Sequence, residues 1–153
     1  MDNTSFINVI RVAYIDVMSM ILGIDVSNSL EVIDSDIETQ ISGVMLLLGK
    51  KKKMATISIS EENAKEAVSY MVGLDPSDLS KEEVYDGVAE LVNMILGRAK
   101  LFLKDTEDYF DITPPFTVVG DAHKFIIKEK LIEFSNVFSL EGMDARITVF
   151  TID

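Results

Sequence analysis

The chain has 153 residues, with 26 Asp+Glu against 14 Lys+Arg, a formal net charge of −12 and no cysteine. Its length and 48% hydrophobic share fit one folded domain over residues 1–153 and exclude a disordered, collagenous or low-complexity chain. Without cysteine, disulfides, thiolate metal sites and thiol nucleophiles drop out together and a cytoplasmic setting is expected, while the acid excess argues against a nucleic-acid partner, whose phosphates are bound through clustered Lys and Arg.

The N-terminus, Met1-Asp2-Asn3, lacks the basic start of a signal peptide, and the apolar stretch after it has no small-residue cleavage site. Within that stretch Ile7, Ile10, Tyr14, Val17, Met18 and Ile21 recur at spacings of three and four. They predict an amphipathic helix over Ser5–Gly23, with Thr4 or Ser5 as N-cap and Gly23 as the stop. Arg11 and Asp16 interrupt its apolar run, so it reads as a buried helix and no membrane partner is expected. Three strands follow, over Val26–Ile33, Ile37–Leu48 and Lys53–Ser60, and Gly49-Lys50-Lys51-Lys52-Lys53 between the last two reads as a solvated hairpin turn. Ser60-Glu61-Glu62 caps a shorter helix that runs to Gly73. Leu74-Asp75-Pro76-Ser77 breaks the chain, and Ser80 with Glu83 forms a capping box that opens a long helix to about Lys104.

The remainder alternates as half-exposed strands: Tyr109–Val119, Lys124–Glu133 or a little beyond, and Asp144–Ile152. Pro114-Pro115 interrupts the first of these, which is therefore expected at an edge or with an irregularity. The order repeats α-β-β-β in two halves, and the expected fold class is α+β, with helices packed on a mostly antiparallel sheet.

The long helix has two distinct faces. Advancing about 100° per residue from Val84, the residues Val88, Leu91, Ile95, Ala99 and Phe102 fall within about 60° and form a buried seam. Asp86, Glu90, Asn93, Gly97 and Lys104 form an outward stripe on the other side. Glu90 and Asn93 are one turn apart on it, close enough for a carboxylate and a carboxamide to engage one small target. A Glu-x-x-Asn spacing alone is a weak signal, and from chemistry alone the pair reads first as solvated helix surface. The same spacing recurs at Glu133 and Asn136, in or just past a predicted strand, where residues three apart are expected on opposite faces. Gly97 inside a helix costs about 1 kcal/mol relative to alanine, which invites a reason such as close approach by a partner.

The stretch Asp86-Gly87-Val88-Ala89-Glu90-Leu91-Val92-Asn93-Met94-Ile95-Leu96-Gly97-Arg98-Ala99-Lys100 resembles the signature helix of the CheX family, relatives of CheC among the phosphatases of the chemotaxis response regulator CheY. Pro114-Pro115-Phe116-Thr117-Val118-Val119-Gly120 with His123 resembles the family's strand and turn after that helix, and Phe6–Val26 its opening helix. Arg98 stands where many members carry a small or amide residue. The resemblance implies a CheC/CheX-like domain that hydrolyses the aspartyl phosphate of a CheY-like receiver. Asn93 would orient the attacking water, Glu90 would pair with the receiver's lysine, and Asp86, Met94 and Gly97 would touch the partner. It further implies Mg²⁺ on the receiver, no cofactor or metal site on this chain, and a homodimer formed through sheet edges.

Other constellations carry less. His123, the only histidine, has no serine motif around it and reads as a turn residue. Asp34, Asp36 and Glu38 lack a calcium-loop pattern, Asp105, Glu107 and Asp108 read as an acidic loop, and no phosphate-binding glycine loop is present. The eight methionines fit adaptable packing. Two rivals to the phosphatase reading are a non-catalytic receiver-binding or flagellar-switch adaptor of the same fold, and a CheC-like protein with a second Glu-x-x-Asn on its first helix. The first helix here has none.

Overall fold

Two serines close the first turns of the helices that organise the middle of the molecule. In the computed structural model, which describes residues 3–152, Ser60 Oγ accepts the Asn63 N–H at 3.1 Å and opens α2 (Glu61–Val72). Ser80 Oγ accepts the Glu83 N–H while the Glu83 carboxylate accepts the Ser80 N–H, both at 3.1 Å. This reciprocal box satisfies donors that the first turn leaves orphaned, and it opens α3 (Lys81–Phe102). The first helix, α1 (Asn3–Leu22), stops at Gly23 and α2 stops at Gly73, both glycines at φ 72°, where a side chain would be strained.

The strands are β1 (Leu30–Ile33), β2 (Ile41–Leu48), β3 (Lys52–Ile59), β4 (Asp111–Ile112), β5 (Phe116–Val119), β6 (Ile132–Leu140) and β7 (Met143–Thr151). They form one antiparallel sheet in the order β1-β6-β7-β3-β2-β4, with β5 also on β2. Phe6, Ile10, Tyr14, Ala67, Val88, Leu91 and Ile95 from the three helices share one core with Met45, Leu47, Ala55, Ile57, Ile147 and Val149. The fold is therefore α+β, with helices on one sheet face. By composition α1 is apolar enough to cross a membrane, but Phe6, Ile10, Ala13, Tyr14, Val17 and Met18 spend that apolarity in this core. The two halves are interleaved: β1 joins β6 of the second half, and β4 with β5 joins β2 of the first.

Several boundaries depart from expectation for local reasons. Thr4 and Ser5 lie inside α1, whose described residues run from Asn3 with no Pro or Gly to break the run, and neither is its N-cap. Val26 belongs to a turn before β1, since Ser27 donates from both N–H and Oγ–H to Asp25 Oδ1 and the Leu30 N–H bonds to the Val26 carbonyl. Residues 37–40 precede β2, which starts only where it finds β3 and β5 at the Ile41–Ile59 and Ile41–Val119 pairs. Pro114-Pro115 splits the expected strand into β4 and β5, both at the sheet edge. Lys124–Glu133 is mostly not a strand. His123 is tethered to Ser42, the chain then crosses the sheet without a pairing partner, turns at Glu129–Leu131 and becomes β6 only at Ile132.

Two glycines set how closely α3 approaches its neighbours. A Cβ on Gly43 of β2 would lie 3.0 Å from Val92 Cγ1 and 3.1 Å from the Val88 carbonyl oxygen of α3. A Cβ on Gly87 of α3 would lie 2.4 Å from Val68 Cγ2 of α2. Gly87→Ala is expected to destabilise the protein by about 1–3 kcal/mol through overpacking, read by urea denaturation, and Val68→Ala in the same chain is expected to recover part of that loss; an unchanged Gly87→Ala midpoint would contradict this packing.

Candidate functional site

Burial along α3 follows the two faces read from the sequence, with changes at its C-terminal end. Val84, Val88, Leu91, Val92, Ile95, Leu96 and Ala99 are buried. Phe102 is not in the seam: it is 40% exposed, with the Arg98 guanidinium 5.2 Å from its ring centre, and the buried residue there is Leu103 at the cap. Lys104 lies beyond the helix and leaves the stripe, because helical periodicity ends at Phe102.

Asp86, Glu90, Asn93 and Gly97 remain as one line on the outside of α3, with Asp86 and Glu90 exposed and Asn93 and Gly97 half-buried. Among the described residues, the side chains of Glu90 and Asn93 have no hydrogen-bond or ion-pair partner. Their Cβ atoms are about 5–6 Å apart by helix geometry. A Cβ on Gly97 would meet nothing within 4 Å, so no intramolecular packing accounts for a glycine there, in contrast to Gly43 and Gly87. The stripe thus offers a carboxylate, a carboxamide and then uncovered backbone over about two turns.

Beside the stripe the ends of α1 and α2 form the other wall of an open groove of about 540 Å³, with Met20, Tyr70 and Val72 opposite Asp86, Glu90 and Met94. Met20 and Tyr70 are 67% and 52% exposed, so the acidic stripe borders an apolar surface. These wall residues come from distant parts of the chain, and no local pattern in the sequence announces them. Further along the α1–α3 cleft, Arg98 Nε is 3.2 Å from Asp16 Oδ2, which ties the two helices together. The buried positions of α1 and α3 correspond in pairs: Phe6 with Val84, Ile10 with Val88, Tyr14 with Val92, Val17 with Ile95 and Met18 with Leu96. In that correspondence Val12 and Ile15 occupy the places of Glu90 and Asn93, so α1 lacks the carboxylate and carboxamide of the stripe.

The remaining sequence features serve structure. His123 follows the turn at Asp121–Ala122; Nδ1 donates to the Gly120 carbonyl at 2.8 Å, which leaves Nε2 to accept from Ser42 Oγ at 2.7 Å. Glu133 is paired with Lys53 at 3.0 Å, and the bulge between Ile132 and Phe134 removes the simple alternation that would have set Glu133 and Asn136 on opposite faces. Lys50 in the β2–β3 turn pairs with exposed Glu107 at 3.3 Å. Among the described residues no group of three or more His, Asp or Glu is placed to hold a metal ion.

The arrangement of helices on one antiparallel sheet is shared by solved chemotaxis proteins. Residues 41–133, more than half of the chain, match the family model described as chemotaxis phosphatase CheX, and the chain belongs to the CheX family. No curated protein matches it in sequence. Among solved structures it is similar to the chemotaxis protein CheX of Vibrio vulnificus, at 26% identity and a TM-score of 0.78 over 97% of this chain and 99% of that one. A CheC-like superfamily protein from Shewanella sp. PV-4 aligns at 25% identity and TM-score 0.76, covering 97% of each chain. CheX of Borrelia burgdorferi, solved in a complex with CheY, BeF3 and Mg²⁺, shares the fold at 23% identity and TM-score 0.75, over 97% of this chain and 98% of that one.

Because the Gly97 Cβ position is open, Gly97→Ala is expected to raise stability by about 1 kcal/mol, a rise in Tm of about 2–4 °C in a thermal melt. A lower Tm would show that the backbone at Gly97 is needed for folding.

Proposed function

We propose that this chain, acting as a single domain, is a phosphatase that removes the phosphoryl group from the aspartate of a CheY-like receiver domain. The observation that carries the reading is the unpartnered Glu90–Asn93–Gly97 stripe on the long helix of a CheX-family fold. An acyl phosphate is already activated, so the catalyst's task is to place a water in line with the phosphorus and to hold a fixed electrostatic surround. Asn93 suits the water: its carboxamide can accept from and donate to it, and it adds no negative charge beside the phosphoryl oxygens. Glu90, one turn earlier, pairs with the receiver's lysine and sets the helix in register, while Asp86, Met94 and Gly97 touch the receiver surface.

The water attacks phosphorus, the bond to the receiver's aspartate oxygen breaks, and inorganic phosphate and free aspartate result. Mg²⁺ belongs to the receiver in this scheme, and the chain contributes no metal or cofactor of its own. The Borrelia burgdorferi CheX solved with CheY, BeF3 and Mg²⁺ supports a receiver as the partner. The apolar Val12 and Ile15 on α1 support one site per chain. A cytoplasmic homodimer without nucleic-acid or membrane partners completes the reading.

The test is the decay of a phosphorylated receiver with Mg²⁺ and catalytic amounts of protein. Asn93→Ala is expected to lower the stimulated kcat by about 100-fold or more with an unchanged fold, whereas Glu90→Ala is expected mainly to raise KM, since it removes binding present before and during reaction. Full turnover by Asn93→Ala would refute the water-orienting role. Binding by the wild type without any acceleration would place the protein among receiver-binding adaptors.

A further inference from the structure

The two walls of the groove beside the stripe differ in chemistry. The α3 wall carries Asp86, Glu90 and Met94, and among the described residues neither carboxylate has a partner within the chain. The wall made by the ends of α1 and α2, with Met20, Tyr70 and Val72, carries no charge. Those three side chains are each more than half exposed, although Met18 and Val68 on the same two helices are fully buried. Large apolar side chains gathered on one concave surface mark an interaction site, whereas scattered ones do not. Three of the eight methionines, Met20, Met71 and Met94, line the groove, and their unbranched side chains can re-pack around whatever enters.

The side of α3 on which the groove lies decides what can fill it. At about 100° per residue, Glu90 points about 60° away from Asn93 around the helix, toward Met94 and the ends of α1 and α2. Glu90 and Met94 accordingly line the groove and Asn93 does not. With Asn93 over the phosphoryl site, a lysine paired with Glu90 stands on the groove side of that site. Its ammonium sits on a four-carbon stem, so the backbone that bears it lies within one side-chain length of Glu90, at the groove. The residues flanking that lysine are then the part of the receiver that meets Met20, Tyr70 and Val72. A second copy of this chain is a poor occupant, because its net charge of −12 would bring further carboxylates toward Asp86 and Glu90.

We propose that the Met20–Tyr70–Val72 wall selects the receiver by taking an apolar side chain that the receiver carries beside its lysine, with Tyr70 as the main anchor. This role rests on the phosphatase reading, in which Glu90 meets that lysine, and adds to it the surface that discriminates. An ion pair at Glu90 accepts any well-placed lysine, whereas an apolar pocket reads size, and one methylene gained or lost there changes preference by about tenfold or more.

The test uses the full chain, with KM and kcat measured on phosphorylated receiver with Mg²⁺ and Kd measured on receiver activated with beryllofluoride. Tyr70→Ala and Val72→Asp, both at exposed positions, are expected to raise KM and Kd by about tenfold with kcat at saturating receiver retained. Met20→Ser gives the same readout should Val72→Asp fail to fold, and Val12→Ser, at an exposed position of α1 outside the groove, is expected to match the wild type. In a double-mutant cycle, serine in place of the apolar residue beside the receiver's lysine is expected to raise KM for the wild type and to add nothing for Tyr70→Ala. Wild-type turnover with KM unmoved in Tyr70→Ala, Val72→Asp and Met20→Ser overturns the role of the wall and leaves the phosphatase reading standing. A KM raised equally by Val12→Ser overturns it too, as does a wild-type dimer that Tyr70→Ala dissociates, which gives the groove to a second copy. Binding without turnover removes the phosphatase reading alone, and the Kd shifts still decide the role of the wall; a wild type that neither binds nor dephosphorylates the receiver removes both.

Discussion

The seating of α3 is the constraint on which the rest of the molecule depends. Two absent side chains set it: Gly43 lets the Val88–Val92 turn of α3 rest on β2, and Gly87 lets Val68 of α2 press against the helix backbone. With α3 gripped on both sides, Glu90 and Asn93 project from a rigid element and not from a loop. In the proposed phosphatase, rigidity would matter more than reactivity, because a group that positions water loses most of its effect when displaced by about 1 Å. The capping box at Ser80 and Glu83 fixes the start of the same helix, and the Asp16–Arg98 pair ties its later turns to α1.

Buried polar side chains are almost all satisfied within the chain. Ser42, Ser58 and His123 form a linked set, Ser135 and Thr148 pair across β6 and β7, and Thr56 Oγ1 is the one buried side-chain polar atom without a partner among the described residues. Glu90 and Asn93, on the outside of α3 and without a partner within the chain, are open to an external group. Their neighbours in the groove are acidic or apolar, a surface that suits a partner with a cation beside its reactive centre. In the register of buried positions shared by α1 and α3, Val12 and Ile15 of α1 fall where α3 has Glu90 and Asn93, so α1 lacks the carboxylate and the carboxamide.

What the sequence disclosed and what it hid follow from the range of the interactions. Ser60, Gly73, Ser80 and Glu83 act within a turn of their own helix, so α2 and α3 were legible almost to the residue. The seam and stripe of α3 follow from periodicity, and only the residues past the last full turn, Phe102 and Lys104, were misplaced. Strand boundaries depend on where a partner strand begins, and Ile37 and Lys124 carry no local sign of that. The Lys124–Glu133 stretch has the composition of a strand, but the His123–Ser42 bond leads it over the sheet, and Ile126 ends 92% exposed. For the site, Glu90 and Asn93 could be found by spacing and resemblance. Met20, Tyr70 and Val72 could not, since the groove exists only after three helices have packed.

The central claim is that Asn93 is the group presented to the receiver's phosphoryl site. It is tested most directly by following the side-chain NH₂ resonance of Asn93 by NMR while adding a receiver activated with beryllofluoride and Mg²⁺. A large shift or broadening of that resonance, together with the Gly97 amide and absent with unactivated receiver, is the predicted result. Perturbations confined to the opposite sheet face, with the Asn93 side chain unmoved, would contradict the account.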